Sequence, residues 1–214
     1  MKKIFENFNL INNNTFRLPA FAKLFTEICN KEEIAEVTER FKNTGEKILV
    51  LGSGSNILFK ENYNGLVIHN KIEGIEEISK ANQACVLVKA GGGVIWDSLV
   101  NYCTERNYFG IENLAFIPGT AGAAPVQNIG AYGAELKDAF ESLEAVLLET
   151  GETLELSKEE CRFGYRDSIF KNELKGKTII SSVTLRLSKT SAINDSYSAL
   201  KKTLEESGKT NPSA

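Results

Sequence analysis

The 214-residue chain has one histidine, His69, and its four cysteines, Cys29, Cys85, Cys103 and Cys161, are scattered without a CxxC pair. Zinc sites need clustered cysteine and histidine at short spacing, so this composition excludes a centre of that kind. The cysteines read instead as reduced, buried thiols of a cytosolic protein, acting as small hydrophobes. No apolar run approaches the roughly 20 residues that cross a bilayer, and Met1-Lys-Lys-Ile-Phe-Glu6 lacks the apolar core of a signal peptide. Basic charge is not in excess either. With 25 Lys and Arg against 28 Asp and Glu, the net charge is -3, which gives no reason to expect a nucleic-acid partner. The expectation is a soluble cytoplasmic chain that contacts neither membrane nor nucleic acid. Two nucleotide-binding signatures are also missing. After Leu51 the loop Gly52-Ser-Gly-Ser-Asn56 places Ile57 where a GxGxxG motif needs its third glycine, and no Lys-Ser/Thr pair follows to make a Walker loop.

What is present is the composition of an ordinary globular protein, 42% hydrophobic and 25% charged, organised around one stretch. Ile117-Pro-Gly-Thr-Ala-Gly-Ala-Ala-Pro-Val-Gln-Asn-Ile-Gly-Ala-Tyr-Gly133 has almost no side-chain bulk. Gly119, Gly122, Gly130 and Gly133 permit close backbone approach, Pro118 and Pro125 stiffen the chain, and Thr120, Ala121, Ala124 and Ala131 keep it slim. Gln127, Asn128 and Tyr132 are its only sizeable polar groups, which a mere connector does not need. Free N–H groups in such a segment form an anion-binding nest, and a phosphorylated cofactor is the natural guest. The shorter loop of Gly52, Ser53, Gly54, Ser55 and Asn56 has two readings: a nest for a pyrophosphate, or an ordinary turn joining Ile48–Leu51 to an extended Ile57–Phe59.

Around these loops the expected elements are modest. Residues 4–20 read as an irregular lead-in fastened by aromatics. Ile34, Val37 and Phe41 lie on one face of a helix over 31–43 that closes near Gly45. Gly65–His69 and Ala84–Lys89 read as strands, the lone His69 as a structural residue, and Gly91-Gly-Gly93 as a tight turn into a helix bearing Trp96, Leu99, Val100 and Cys103. Glu149-Thr-Gly-Glu152 joins a hairpin, Ser157-Lys-Glu-Glu160 has the form of a capping box, and 178–187 alternates as a half-buried antiparallel strand. A short helix is expected over 195–206. The order of elements favours an α+β fold over a doubly wound parallel sheet.

Three segments carry a resemblance: Leu51-Gly-Ser-Gly-Ser-Asn-Ile-Leu-Phe59, the stretch from Ile117 to Gly133, and Gly164-Tyr-Arg-Asp-Ser-Ile-Phe-Lys171. In that order they closely resemble the UDP-N-acetylenolpyruvoylglucosamine reductase family of peptidoglycan precursor synthesis, over nearly the whole chain. The resemblance implies an FAD-binding fold of the vanillyl-alcohol oxidase / PCMH type. It divides the chain into FAD-binding subdomains at 1–70 and 71–190 and the start of a substrate domain at 191–214. It implies FAD and NADPH as cofactors and a UDP-sugar enolpyruvyl ether as the small-molecule substrate; the chain itself is expected to be a monomer. Hydride passes from NADPH to FAD, then to the enol carbon, and a serine supplies the proton.

Carried over by motif, Gly52–Ile57 faces the FAD pyrophosphate, and Pro118–Gly122, Ala124, Pro125, Gln127, Asn128, Gly130, Ala131 and Gly133 wrap the cofactor. Arg166 is the matching arginine for charge developing on the substrate's carboxylate side, with Tyr132, Tyr165 and Tyr197 near the substrate. Tyr197 resembles a mobile tyrosine loop of one subclass, in which glycine more often stands at the position of Ser198. The family's Gly-Ser-Phe-Phe-Lys-Asn-Pro-like segment, which holds the proton-donating serine, and its glutamate near the C-terminus have no counterpart in these residues. The chain is therefore expected to hold FAD without completing turnover, and to associate somewhat through surface that a third domain would cover. The alternatives are a non-catalytic FAD-binding fragment and another flavin oxidoreductase of the same fold, such as an oxidase linked to FAD through histidine or cysteine.

Overall fold

A computed structural model describes residues 2–78 and 84–190, together with Tyr197, Lys202 and Glu206. The helix expected over 195–206 and the division at 191–214 thus fall almost wholly outside the described residues.

Two sheets organise the chain. The first uses β1 (Phe5–Asn9), β2 (Phe21–Ile28), β3 (Ile48–Leu51) and β4 (Tyr63–Asn70) in the order β1-β2-β4-β3, with helix α1 (Lys31–Phe41) between β2 and β3. Here the structure corrects the reading of residues 4–20. β1 pairs antiparallel with β2, and Phe8 stacks on Phe25 with ring centroids 3.9 Å apart. β2 escaped notice because a register shift between Ala22 and Leu24 breaks the two-residue alternation that marks a strand. β2, β4 and β3 run parallel, so β3 cannot reach β4 by a tight turn. Residues 52–62 form the crossover, and Ile57–Phe59 is irregular rather than a strand. The glycine loop consequently leaves the C-terminal end of β3, the end of parallel strands where ligands bind in open α/β sheets.

α1 forms as expected. The Asn30 side chain accepts from the Glu33 N–H at 2.9 Å, Glu32 and Glu33 complement the helix dipole, and Ile34, Val37 and Phe41 are buried.

The second sheet is antiparallel. β5 (Ile75–Ile78) and β6 (Cys85–Gly91) precede α2 (Trp96–Thr104); the small ribbon β7 (Gly130–Ala131) and β8 (Ala134–Glu135) leads through the one-turn α3 (Leu136–Ala139) to β9 (Phe140–Leu147). β10 (Thr153–Ser157), α4 (Lys158–Cys161) and β11 (Thr178–Ser188) complete it, in the order β10-β9-β11-β6-β5. The hairpin at 149–152 and the capping box at Ser157 and Glu160 are both present. β11 is not half-buried: Ile179 to Leu185 are buried without interruption. As the central strand it has the α2 core on one side, while Ile179 packs with Ile34, Val37 and Phe41 of α1 on the other. The two sheets therefore share a core, and Lys31 of α1 and Lys89 of β6 both pair with Glu144 of β9.

Gly91–Gly93 form the tight turn between β6 and α2, and their packing explains the lack of side chains. A Cβ on Gly92 would lie 2.2 Å from the Ile180 carbonyl oxygen, while the Gly92 N–H donates to Ser181 at 2.8 Å and its carbonyl accepts from Gly122 at 2.9 Å. Ser181 is the extra residue of a bulge in β11.

The cysteine expectation holds for two of the four. Cys103 and Cys161 are buried, and burial pushes each thiol up to about 12; Cys29 is exposed and Cys85 half-buried. Since the thiolate is the reactive form, brief iodoacetamide treatment of the native chain at pH 8 should label Cys29 first and Cys85 more slowly. Cys103 and Cys161 should react only in denaturant, as peptide mass mapping will show.

Candidate functional site

β3 is the edge of the first sheet, and it faces the start of β11 across a cleft with two joined lobes. The apolar lobe, about 370 Å³, is walled by Ile48, Asn70, Gly122, Phe170, Leu174, Thr178 and Ile180. The loop lobe, about 380 Å³, is walled by Gly52–Ile57, Trp96, Ile117–Thr120, Ala124, Gln127 and Ile129. Leu49, Val50, Gly52, Thr120, Ala123, Val126 and Lys171 belong to both. At the floor, buried Asn70 fastens the sheets together by donating to the Ile180 carbonyl at 2.9 Å and accepting from the Ile72 N–H at 3.2 Å.

Each loop has its own support. Gly54 sits at φ +69°, and a Cβ there would lie 2.0 Å from the Asn13 carbonyl oxygen, so only glycine lets the loop lie against the turn after β1. The Ser53 hydroxyl donates to that of Ser55 at 3.2 Å. The Asn56 amide donates to Gln127 at 3.4 Å, joining the two glycine-rich segments across the cleft. In the long stretch, Ala121 donates to the Val94 carbonyl and Gly122 to that of Gly92, both by backbone N–H. The Trp96 indole N–H is satisfied by the Leu114 carbonyl at 2.9 Å, so the ring is fixed where it lines the loop lobe.

The third motif is tied to the second. Asn128, fully buried at φ +43°, donates to the Gly164 carbonyl at 3.0 Å and accepts from the Lys137 N–H at 3.0 Å. The Ser168 hydroxyl donates to the Val126 carbonyl at 2.7 Å. Between them Gly164 and Asp167 exchange backbone hydrogen bonds across a tight turn that holds Arg166 at φ +53°. The guanidinium of Arg166 donates to the Gly130 carbonyl at 2.9 Å. Among the described residues it has no carboxylate partner. The Tyr132 ring stands edge-on to that of Tyr197, centroids 5.6 Å apart.

Of the residues singled out from sequence, Gly52, Ser53, Gly54, Ser55, Asn56, Ile57, Pro118, Gly119, Thr120, Gly122, Ala124 and Gln127 line the cleft. Ala121, Pro125 and Asn128 are buried beneath it as supports. Gly130, Ala131 and Gly133 belong to the ribbon region beyond it, near Arg166. Tyr165 is 86% exposed and Tyr132 56%, and neither lines the cleft. Sequence reading missed Leu49 and Val50, whose strand gave no sign of an open face, and Trp96, assigned to the core. It also passed over Lys171, which was visible as the last residue of the third motif. His69 lies apart, in contact with Asn13 and Glu27, and burial holds it below the usual imidazole range against the pull of Glu27.

The cleft suits a long, partly anionic, partly aromatic guest. Its charged lining residues are Lys171 and Lys175, with no carboxylate among the described lining residues. One lobe offers backbone and hydroxyl groups and the other an apolar wall. The sequence matches a protein family described as an FAD binding domain over residues 22–157. The chain belongs to this family. As an FAD binding domain it is 45% identical to the UDP-N-acetylenolpyruvoylglucosamine reductase of Amoebophilus asiaticus, over 93% of this chain and 58% of that one. Identity is 47% with the enzyme of the same name from Salmonella choleraesuis, over 82% and 51%, and 40% with that of Pseudomonas aeruginosa, over 98% and 61%. The chain thus spans a little over half the length of these relatives. Among solved structures it is similar to the UDP-N-acetylenolpyruvylglucosamine reductase of Thermus caldophilus, with a TM-score of 0.69 at 22% identity over 99% of this chain and 71% of that one. It is also similar to the 6-hydroxy-D-nicotine oxidase of Arthrobacter nicotinovorans, with a TM-score of 0.64 at 19% identity over 88% and 42%. At these identities the two structures speak to fold, and they agree with the FAD-binding fold that the motifs implied. Among the described residues no helix is long and apolar enough to cross a membrane.

Replacing Asn128 with alanine leaves the Gly164 carbonyl and the Lys137 N–H without their buried partner. The expected cost is about 2–4 kcal/mol, measured by urea unfolding, with faster amide exchange across 164–168 in the folded state.

Proposed function

We propose that the cleft holds FAD and that the chain is the FAD-binding part of an NADPH-dependent reductase acting on UDP-N-acetylglucosamine enolpyruvate in cytoplasmic peptidoglycan precursor synthesis. The observation that carries this is the convergence of two glycine-rich loops, far apart in sequence, on one cleft lined by lysine and, among the described residues, by no carboxylate, in a chain of the FAD binding domain family. The reductase assignment rests on the names of the relatives, and the division into units at 1–70 and 71–190 follows the two sheets.

In this reading the N–H groups and hydroxyls of Gly52–Ile57 and of Pro118–Thr120 take the diphosphate, and Gly52 must lack a side chain because a Cβ there would lie 2.7 Å from the Thr120 hydroxyl. When bound, FAD supplies the hydride relay between NADPH and the enol double bond. Arg166, held on the Gly130 carbonyl, presents its remaining donors toward the substrate's carboxylate, where a planar fork stabilises developing charge better than a lysine would. Gly130, Ala131, Tyr132 and Gly133 shape the approach to that guanidinium. Tyr132 and Tyr197, in edge contact, and the exposed Tyr165 supply aromatic surface for the nucleotide-sugar. The family's proton-donating serine motif has no counterpart in the 214 residues.

The oxidase alternative with covalently held FAD has less support. His69 and all four cysteines lie outside the cleft lining.

Adding FAD, desalting and recording the visible spectrum tests the reading. Flavin should be retained with a perturbed spectrum, be released completely on denaturation, and bleach with anaerobic NADPH. Folded protein that keeps no flavin would overturn the cofactor reading.

A further inference from the structure

Lys171 occupies a position that neither the glycine loops nor the arginine explains. Its side chain lines both lobes of the cleft, while its ammonium donates to the carbonyl of Arg166 at 2.7 Å. That carbonyl belongs to a residue at φ +53°, a backbone state that a side-chain-bearing residue keeps only where its surroundings hold it. Among the described residues Lys171 has no carboxylate partner, and an ammonium has three donors. One is spent on Arg166, which leaves donors for whatever fills the cleft.

We propose that Lys171 is a positioning residue that joins FAD in the cleft to the conformation of the Arg166 turn. This rests on the FAD reading above. The ammonium is shared between an anionic oxygen of the cofactor and the Arg166 carbonyl, and its aliphatic stem forms wall for both lobes. Immobilising this long side chain costs rotamer entropy. With the cofactor present that cost is met once for both contacts, so FAD binding tightens the bond to Arg166, and a well-formed Arg166 turn raises FAD affinity by the same factor. The guanidinium that meets substrate is thereby held more firmly when the cofactor is in place. Phe170, buried beside it, and Ser168, which bonds to Val126, anchor the short helical turn from which Lys171 projects, so the coupling has a rigid base.

Three variants of the full chain test this: Lys171→Met keeps the stem and removes the donors, Lys171→Gln serves if the methionine variant does not fold by circular dichroism, and Lys171→Arg restores charge. Equilibrium FAD binding is followed at several salt concentrations, alongside hydrogen exchange at the Asp167 amide, which donates to Gly164 within the turn. Loss of one charge-assisted hydrogen bond should raise the Kd for FAD by about tenfold and flatten its salt dependence. FAD should slow Asp167 exchange in the native chain and in Lys171→Arg, but not in Lys171→Met or Lys171→Gln. An unchanged Kd and salt slope in a folded variant would overturn the proposal and leave the FAD reading standing. So would lowered thermal stability with the FAD-dependent protection of Asp167 intact, because that is what a purely structural lysine would give. A folded native chain that binds no FAD would instead remove the reading on which the proposal rests.

Discussion

The approach of backbone to backbone at Gly92 is the constraint on which the cleft depends. Its N–H is bonded to Ser181 in the bulge of β11 and its carbonyl to Gly122 in the long glycine-rich stretch, while the Asn70 amide and the Ile180 carbonyl lie where a side chain would be. Four segments from different parts of the sequence meet there: the end of the first sheet, the turn into α2, the middle of β11 and the loop that lines the cleft. The bonds of Gly92 are made by main chain, so they hold the turn, β11 and the loop more rigidly than side-chain packing, which can shift rotamers, and the Asn70 side-chain amide adds the first sheet to them. The Lys31–Glu144–Lys89 group ties the same two layers at another point.

On this frame the site is assembled by chains of support. Gly54 rests against Asn13, Asn128 carries Gly164, Ser168 carries Val126, and Arg166 rests on Gly130. Each link joins one of the three motifs to another motif or to the turn after β1. With the Asn56–Gln127 bond across the cleft, the three sequence motifs are joined into one structural unit. The charge pattern follows the same economy: 28 acidic side chains are present in the chain, yet the cleft lining includes none among the described residues. That lining favours an anionic guest, because carboxylates in a partly desolvated region would repel one with little screening.

Much of this was legible in sequence because it is local. Small-residue loops, a Ser157 capping box and the apolar stripe of α1 are all signals within a few residues, and the structure carries each of them. The first sheet was not legible. β1 mixes Phe with Asn at an exposed edge, and the register shift after Ala22 hides the alternation of β2. The depth of β11 was misjudged because burial on its second face comes from α1, which lies far away in sequence. Lys171 went unnoticed for a related reason. A lysine at the end of a motif reads as a solvated charge until the cleft on either side of it is known.

The walls of the cleft come from residues 48–57, 117–129 and 170–180, and β11 is both its last wall and the central strand of the second sheet. A nascent chain that has emerged only as far as the first two glycine-rich loops has the nest but nothing to close it, and Gly92 has no bulge to bind. The cleft is therefore complete only once β11 has inserted between β9 and β6. Any guest that needs both lobes would thus report on that insertion, since a chain whose central strand is out of register offers an unfinished wall.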